Sequence, residues 1–463
     1  MAVGPRKSFE EGAGLIKILV IGKSETATAL SKALSKLSAT IYCENNQAQI
    51  KKKLLKNKIN IIFLDADDVW FENGRKTPLE ALFRKSGKPF IVLSSQKKST
   101  QVIEAYRRGA SDTLTKPLNQ RELIMRLNAL LLKKTRLTCI GGGTGLFTLL
   151  LGLKTLPNFL LTSIVSMSDD GGSSGKLSQT FGILPPGDVR RSLVALSNAP
   201  EVMNQIVQHR FDKGDLRGHS FGNIFLTVLA EVKGSMAEAV RALSDILNIQ
   251  GIVLPASHSA TQLVARFADR TVIKGESRID LGEGRDPDLR VRKIWHEPAA
   301  DCASDALSSI FNSDIVTIGP GDLFTSVIAN LAIKDLAKAL VQTRAKKIYI
   351  CNLMTKPGET AHFNAEDHVR EILKYLGKDC LDAVLISDTR VSEESLLEYA
   401  KKHQKPVEIG DLRRLKKMTK AEIIVADIGH ETELVRHDSL KLKNEIQRLV
   451  KRWGIHGVKK RAR

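Results

Sequence analysis

Several apolar runs in this chain end abruptly in glycine, serine or aspartate and are followed by helical spacing. That repeated unit constrains the fold more than any other feature. Ile16–Ile21 runs into Gly22, Ile59–Leu64 into Asp65 and Phe90–Leu93 into Ser94. Further on, Leu137–Ile140 runs into Gly141, Leu160–Val165 precedes a Ser-Asp-Asp-Gly-Gly loop, and Ile315–Ile318 runs into Gly319. Runs that are apolar throughout, rather than alternating, belong to strands buried on both faces, which means parallel sheets covered by helices. Helical patterns over Ser24–Leu37, Pro78–Arg84, Thr100–Arg108 and Asn119–Lys133 supply the cover in the first block. In the second block, further strands are expected at Lys347–Cys351, Ala383–Ile386 and Ile423–Val425, with short β runs over 250–300 and a last helix over Ser439–Arg452. The basic stretch Lys133, Lys134 and Arg136 separates the blocks. At roughly 100–200 residues per domain, 463 residues accommodate this division.

Composition narrows the function classes. The net charge of +20 is concentrated at the ends: residues 1–133 hold 24 Lys and Arg against 12 Asp and Glu, and residues 441–463 hold nine against Glu445. No aromatic residues interleave with these charges and no nucleic-acid-binding signature appears, so they read as a solvated basic face and a basic tail, with no nucleic-acid partner expected. No apolar run approaches the ~18 residues of a membrane span. Glu10 and Glu11 stand where a signal peptide would be apolar. The cysteines, Cys43, Cys139, Cys302, Cys351 and Cys380, are odd in number and never spaced CxxC. Together these features lead us to expect a cytoplasmic chain with reduced thiols and no zinc site.

The glycine turns carry the chemistry. Gly141, Gly142, Gly143, Thr144 and Gly145 lie between a strand and a helix N-terminus. Backbone N–H groups there can approach a phosphate closely, and the helix dipole favours its charge. The spacing is not GxGxxG, and no acidic residue ends a second strand about 20 residues on, so a dehydrogenase is not indicated. A second loop, Asp169, Asp170, Gly171, Gly172 and Ser173, and a third, Gly319, Pro320, Gly321 and Asp322, follow other strands. Ligands in open α/β sheets sit outside such strand ends. Asn223, in GHSFGN, reads either as a contact to a base or sugar hydroxyl or as a helix cap. Asp188 reads as the cap of a helix carrying Arg190 and Arg191, and Asn352 opens a polar turn at another strand end.

Two resemblances follow from these motifs. Residues 16–133 resemble a response-regulator receiver, with Asp65 at the phosphoacceptor position, Ser94 at the hydroxyl position and Lys116 before Pro117. The acidic pair that holds Mg²⁺ in receivers is replaced by Gly22 and Lys23. Phosphoryl transfer needs a cation, so the unit is read as a pseudo-receiver for partner binding, with Lys23 placed to pair with Asp65. Residues 136–445 resemble the gluconeogenesis factor family within the 2-phospho-L-lactate transferase (CofD-like) superfamily. The motifs that carry this are IGGGTGL, SDDGGSSGKL, GILPPGDVRRSLVAL, GHSFGNIFL, TIGPGDLFTSVIANL and CNLMTKPGET. The expected architecture is a flavodoxin-like receiver at 15–134 and a Rossmann-like parallel-sheet domain at 135–445, with a lead-in at 1–14 and a basic tail at 446–463. The resemblance implies a UDP-sugar, notably UDP-N-acetylglucosamine, and a regulatory role in growth on gluconeogenic carbon and in cell shape. Its ligand would be held by Gly141–Gly145, Asp169, Asp170, Gly171, Gly172, Ser173, Asn223, Gly319, Gly321 and Asn352. The transferase branch would instead use Asp169 and Asp170 as catalytic groups, with Mg²⁺ as a possible cofactor. A homo-oligomer and a regulatory partner at the receiver are expected.

Overall fold

A computed structural model of the chain describes residues 15–455 except 36, 57, 70–77, 96–97 and 282–284. The expected lead-in over 1–14 and the end of the basic tail, 456–463, lie outside the described residues. The chain divides into two compact units, Met1–Lys134 and Thr135–Arg463.

The first unit holds β1 (Ile16–Ile21), β2 (Ala39–Glu44), β3 (Ile61–Asp65), β4 (Phe90–Ser94) and β5 (Asp112–Thr115). They form one parallel sheet in the order β2-β1-β3-β4-β5. That is the flavodoxin-like doubly wound order, which receivers share. Successive residues of one strand feed opposite cores: Ile18 and Val20 pack with Phe63 and Leu127 on one face, while Leu19 and Ile21 pack with Ile62 and Phe83 on the other. The sequence reading lacked β2 and the helix after it, Gln47–Lys56. β2 is an edge strand, partly exposed along its length, so it carries no continuous apolar run.

The second unit is built on β6 (Thr135–Gly141), β7 (Phe159–Val165), β8 (Ile252–Pro255), β12 (Ile315–Ile318), β13 (Lys346–Ile350), β14 (Ala383–Ser387) and β15 (Glu422–Ala426). The order is β15-β14-β13-β12-β6-β7-β8. From β6 the chain winds outward through β7 to β8, then returns to the other side of β6 and winds outward through β12, β13, β14 and β15. The switch point therefore falls between β6 and β12, the strands that lead into the first and third glycine turns. A small antiparallel sheet, β10-β9-β11, is formed by β9 (Gln262–Phe267), β10 (Val272–Lys274) and β11 (Val291–Glu297). A hairpin is formed by β16 (Gly429–Glu431) and β17 (Val435–His437).

The last helix, Ser439–Arg452, corrects the tail boundary. Asp438 caps it through bonds of 2.8 Å from the amides of Leu440 and Lys441. Residues 446–452 belong to this helix, and Ile446, Leu449 and Val450 are buried in the core of the unit. The helix lies so close to the helix Gly143–Leu153 that a Cβ at Gly152 would come within 2.0 Å of the Ser439 carbonyl oxygen. Among the described residues, no helix is long and apolar enough to cross a membrane.

Candidate functional site

The switch point of the second sheet opens into a cleft of about 610 Å³. Its wall includes the turns after β6 and β12, the loop after β7, the turn at Asn352, and Glu276 and Lys356. The turns are locked together by close backbone approach. A side chain at Gly142 would meet the Asp188 carboxylate at 2.4 Å, and one at Gly321 would meet the Gly142 carbonyl oxygen at 3.1 Å. Asn352 ties a fourth strand end into this group by donating from Nδ2 to the Gly321 carbonyl at 2.8 Å.

Asp188 does not cap its own helix. The cap position of Gly187–Leu196 is Pro186. The Asp188 carboxylate crosses instead to the first turn, where Oδ1 accepts from the Gly143 amide at 3.0 Å and from Arg191 at 2.9 Å. A fixed negative charge thus sits at the N-terminus of helix Gly143–Leu153, where the helix dipole favours it.

The loop after β7 divides its labour. Asp169 folds back on its own loop, accepting from the Gly171 amide at 3.1 Å. Asp170 turns away and accepts from the Ser277 amide at 2.7 Å, which fixes the start of helix Glu276–Leu281. Ser173 accepts from the Ser220 amide at 3.2 Å. Asn223 is not the cap of helix Phe221–Lys233, a position held by Ser220. It is buried, donates to Ser174 Oγ at 3.3 Å and accepts from Arg190 Nε at 2.9 Å. That bond aims Arg190 into a recess of about 210 Å³ that also borders Arg191, Arg210, Ser173 and Gly172. Asp169, Gly171, Gly172 and Arg191 line both spaces.

The site is electrostatically two-sided. On the cleft side, burial raises the Glu276 carboxyl to about 9, with Asp169 and Asp188 pushing the same way. Asp169 is raised by burial and by Asp188, and Asp322 by burial, Glu359 and Asp188. Lys356 is the local counter-charge, bonded to Asp280, to Asp322 at 2.7 Å and lying 3.5 Å from Glu359. Glu359 is itself buried and accepts from the Phe324 amide at 2.8 Å. On the recess side the cations crowd one another. Arg190 is lowered to about 10, first by burial and then by Arg191 and Arg210.

The expected ligand residues therefore fall into two groups. Gly142, Gly143, Thr144, Gly145, Asp169, Gly171, Gly172, Ser173, Asn223, Gly321 and Asn352 line the cleft or the recess. Gly141, Asp170 and Gly319 line neither: Gly141 packs on the Pro320 carbonyl, Gly319 on the Ile350 carbonyl, and Asp170 on Ser277. Sequence reasoning missed Arg210 and Glu276, and it placed Lys356 only within the turn that Asn352 opens, without the pairing to Asp280 and Asp322 that the fold supplies. The donor set does not fit a preformed Mg²⁺ site. Asp169, Asp170 and Asp188 are engaged with amides or Arg191, and among the described residues no group of three His, Cys, Asp or Glu is arranged to hold a metal ion.

In the first unit, Asp65 is buried and paired. Lys116 Nζ lies 2.7 Å from both of its oxygens, and Thr26 donates its hydroxyl to the same group. An ammonium seated on Asp65 is thus that of Lys116. Burial works to lower Lys116, but hydrogen bonds from it to Asp65 and Asp67 outweigh this and hold it raised. Ser94 bonds to Asp67 at 3.2 Å. Gly22 has φ +150°, and a Cβ there would come within 2.5 Å of the Asp65 Cβ, so an acidic side chain at this position is excluded by packing as well as by sequence.

An open parallel sheet with a polar cleft at its switch point defines a Rossmann-like domain. The family model for the 2-phospho-L-lactate transferase CofD matches residues 137–428. A putative gluconeogenesis factor of Thermotoga maritima is 39% identical over 321 residues, 69% of this chain and 100% of that one. The gluconeogenesis factor of Bacillus subtilis is 37% identical over 322 residues, 69% of this chain and 99% of its own. A crystal structure from Bacillus halodurans is 36% identical with a TM-score of 0.65, covering 68% of this chain and 99% of that one. The chain belongs to the gluconeogenesis factor family, with a CofD-type second unit behind a receiver-like first one.

Proposed function

We propose that the second unit binds a nucleotide sugar of the UDP-N-acetylglucosamine type, and that the chain regulates carbon metabolism and cell-wall growth from the cytoplasm. The carrying observation is the junction at Asp169, Gly171, Gly172 and Arg191, where a recess bordered by three arginines opens from the larger cleft. A diphosphate suits the recess side, where Arg190, Arg191 and Arg210 face the N-terminus of helix Gly172–Phe181. The first glycine turn is a poorer phosphate cradle than its sequence suggests, because Asp188 already sits on the Gly143 amide. The uncharged sugar and base fit the wider cleft, whose carboxylates accept from hydroxyl groups. Turnover by a phospholactate transferase is the weaker reading, because Asp170 is committed to Ser277 and no metal cluster is preformed among the described residues. The receiver-like unit acts as a regulatory module with Asp65 permanently paired, and docks a partner or a second copy of the chain.

The test is a thermal-shift panel of UDP-N-acetylglucosamine, UDP, GDP and dinucleotides, with and without Mg²⁺. The expected result is a rise with the UDP-sugar that needs no metal and is lost in Arg190→Gln. A rise with guanosine species alone overturns the reading in favour of the transferase.

A further inference from the structure

The small sheet β10-β9-β11 borders a separate cavity of about 360 Å³ that shares no lining residue with the cleft or the recess. Its wall is formed by Arg266, Lys293, Trp295, His296, Lys334 and three alanines, with no carboxylate among them.

The cations are arranged at a cost to the fold. Lys293 on β11 is the direct cross-strand partner of Arg266 on β9, beside a bulge at Arg292 that sets this register. Like charges placed opposite each other destabilise a sheet, and bulges recur where a side chain is re-aimed for function. Lys334 opens the helix Lys334–Gln342, where its charge opposes the helix dipole. Among the described residues, none of the three is paired with a carboxylate: Glu297 is taken by Lys274 at 3.0 Å and Asp335 by Lys338 at 3.2 Å.

The aromatic wall adds a second specificity. The Arg266 guanidinium and the Lys293 ammonium lie 5.7 and 5.9 Å from the Trp295 ring centroid. The two nitrogens of His296 are occupied by Thr261 at 3.2 Å and the Ala329 carbonyl at 2.8 Å, so it stays a spectator. What remains is a cavity with three exposed cationic donors beside an indole, its wall completed by Ala299, Ala300 and Ala332.

We propose that this cavity binds the phosphate monoester of a small metabolite with a flat aromatic body, a 5′-mononucleotide being the simplest case. Three positive charges on the wall of one cavity match a phosphate dianion better than a carboxylate. The indole supplies an aromatic surface beside those charges, and the volume lies in the range of small-ligand sites. The site stands independently of the nucleotide-sugar reading, since its residues are all outside the cleft.

The test is calorimetric titration of the full chain with 5′-AMP and with inorganic phosphate, alongside tryptophan fluorescence. The variants are the double substitution Arg266→Gln and Lys293→Gln, the single Lys334→Gln, and Trp295→Phe. The double variant should bind AMP at least tenfold more weakly, while its melting temperature is unchanged or higher because a like-charge pair is gone. Trp295→Phe should weaken AMP but not phosphate, and should remove the AMP-dependent fluorescence change. No AMP binding up to millimolar concentration would overturn the proposal, as would equal affinity in the double variant. So would binding of a single-stranded oligonucleotide in preference to AMP, which would make the face a nucleic-acid surface.

Discussion

Replacing Glu276 with Gln should stabilise the protein, and by an amount that grows with pH. Burial, with Asp169 and Asp188 close by, holds this carboxyl at about 9 in the folded chain, against an ordinary 4.5. Below pH 4.5 both folded and unfolded chains carry the proton and the group is neutral in its effect. Between 4.5 and about 9 the unfolded chain releases the proton while the folded one keeps it. Stability therefore falls as pH rises through that window, by about 1.36 kcal/mol per pH unit. Integrated from 4.5 to 7, the loss is ~3 kcal/mol. Glutamine reproduces the neutral acid without the proton, so E276Q should recover of order 3 kcal/mol at pH 7, equivalent to about 6 °C at ~2 °C per kcal/mol. Asp169 and Asp322 are raised as well, so the pH dependence of E276Q should be flatter than that of the wild type but should not vanish. The assay is urea denaturation of both proteins at pH 5, 6, 7 and 8, following the transition of the second unit. A stability gap that stays constant from pH 5 to 8, or an E276Q protein less stable than wild type, refutes the picture of a proton trapped among carboxylates.

Other substitutions probe the remaining contacts. Asp188→Ala removes a charge-assisted bond to the Gly143 amide but also relieves repulsion with Asp169, so chemical denaturation should show a net loss of about 1–2 kcal/mol. The same change should tighten anion binding, measured by titration with UDP, because a fixed negative charge leaves the first glycine turn. Lys116→Met strands the buried Asp65 carboxylate; partial exposure of the lysine moderates the cost to about 1–3 kcal/mol, and adding Asp65→Asn should restore most of it in a double-mutant cycle. Incubation of the wild-type chain with a small phosphodonor and Mg²⁺ should leave the mass of the Asp65 peptide unchanged. Gly152→Val drives a side chain into the Ser439 carbonyl, and should expose the last helix to proteolysis.

What the sequence made legible was local, and what it hid was not. A strand that is buried on both faces must read as a continuous apolar run. A turn that packs backbone against backbone must be glycine, so β1, β3, β4, β6, β7 and β12, and the turns after β1, β6 and β12, could be read from neighbouring residues alone. β2 escaped because an edge strand with one wet face has no such run. The same limit explains the site. That Gly142, Gly172 and Gly321 line a common cleft follows from spacing, but the partners of Asp188, Asp170 and Asn223 lie 45, 107 and 33 residues away in sequence. In each case a polar residue that looked like a local cap or a metal ligand is used to hold another segment in place. Only the folded chain decides between those uses.

This division bears on how the cleft can be re-engineered. Its glycines are fixed by packing: a side chain at Gly142 collides with Asp188, and one at Gly187 meets Asp169 and Ser174 at 2.4 Å each. The charged residues are fixed by pairing, and they are paired in opposite senses on the two sides. Carboxylates crowd together around Glu276, while arginines crowd together around Arg190. Each cluster raises the energy of its own charged state, and a ligand carrying the opposite charge lowers it. An anion bound near Arg190 removes a repulsion that the protein otherwise bears alone, so binding should be stronger than the hydrogen-bond count implies. Neutralising Arg191 should cost less affinity than neutralising Arg190, because Arg191 is already compensated by Asp188 at 2.9 Å, while Arg190 is hydrogen-bonded to the neutral amide of Asn223 and is opposed by Arg191 and Arg210 more strongly than it is favoured by Asp188 and Asp169. Titration of Arg190→Gln and Arg191→Gln with UDP-N-acetylglucosamine measures that order, and equal losses from the two variants would show that the recess works as an undivided pool of positive charge.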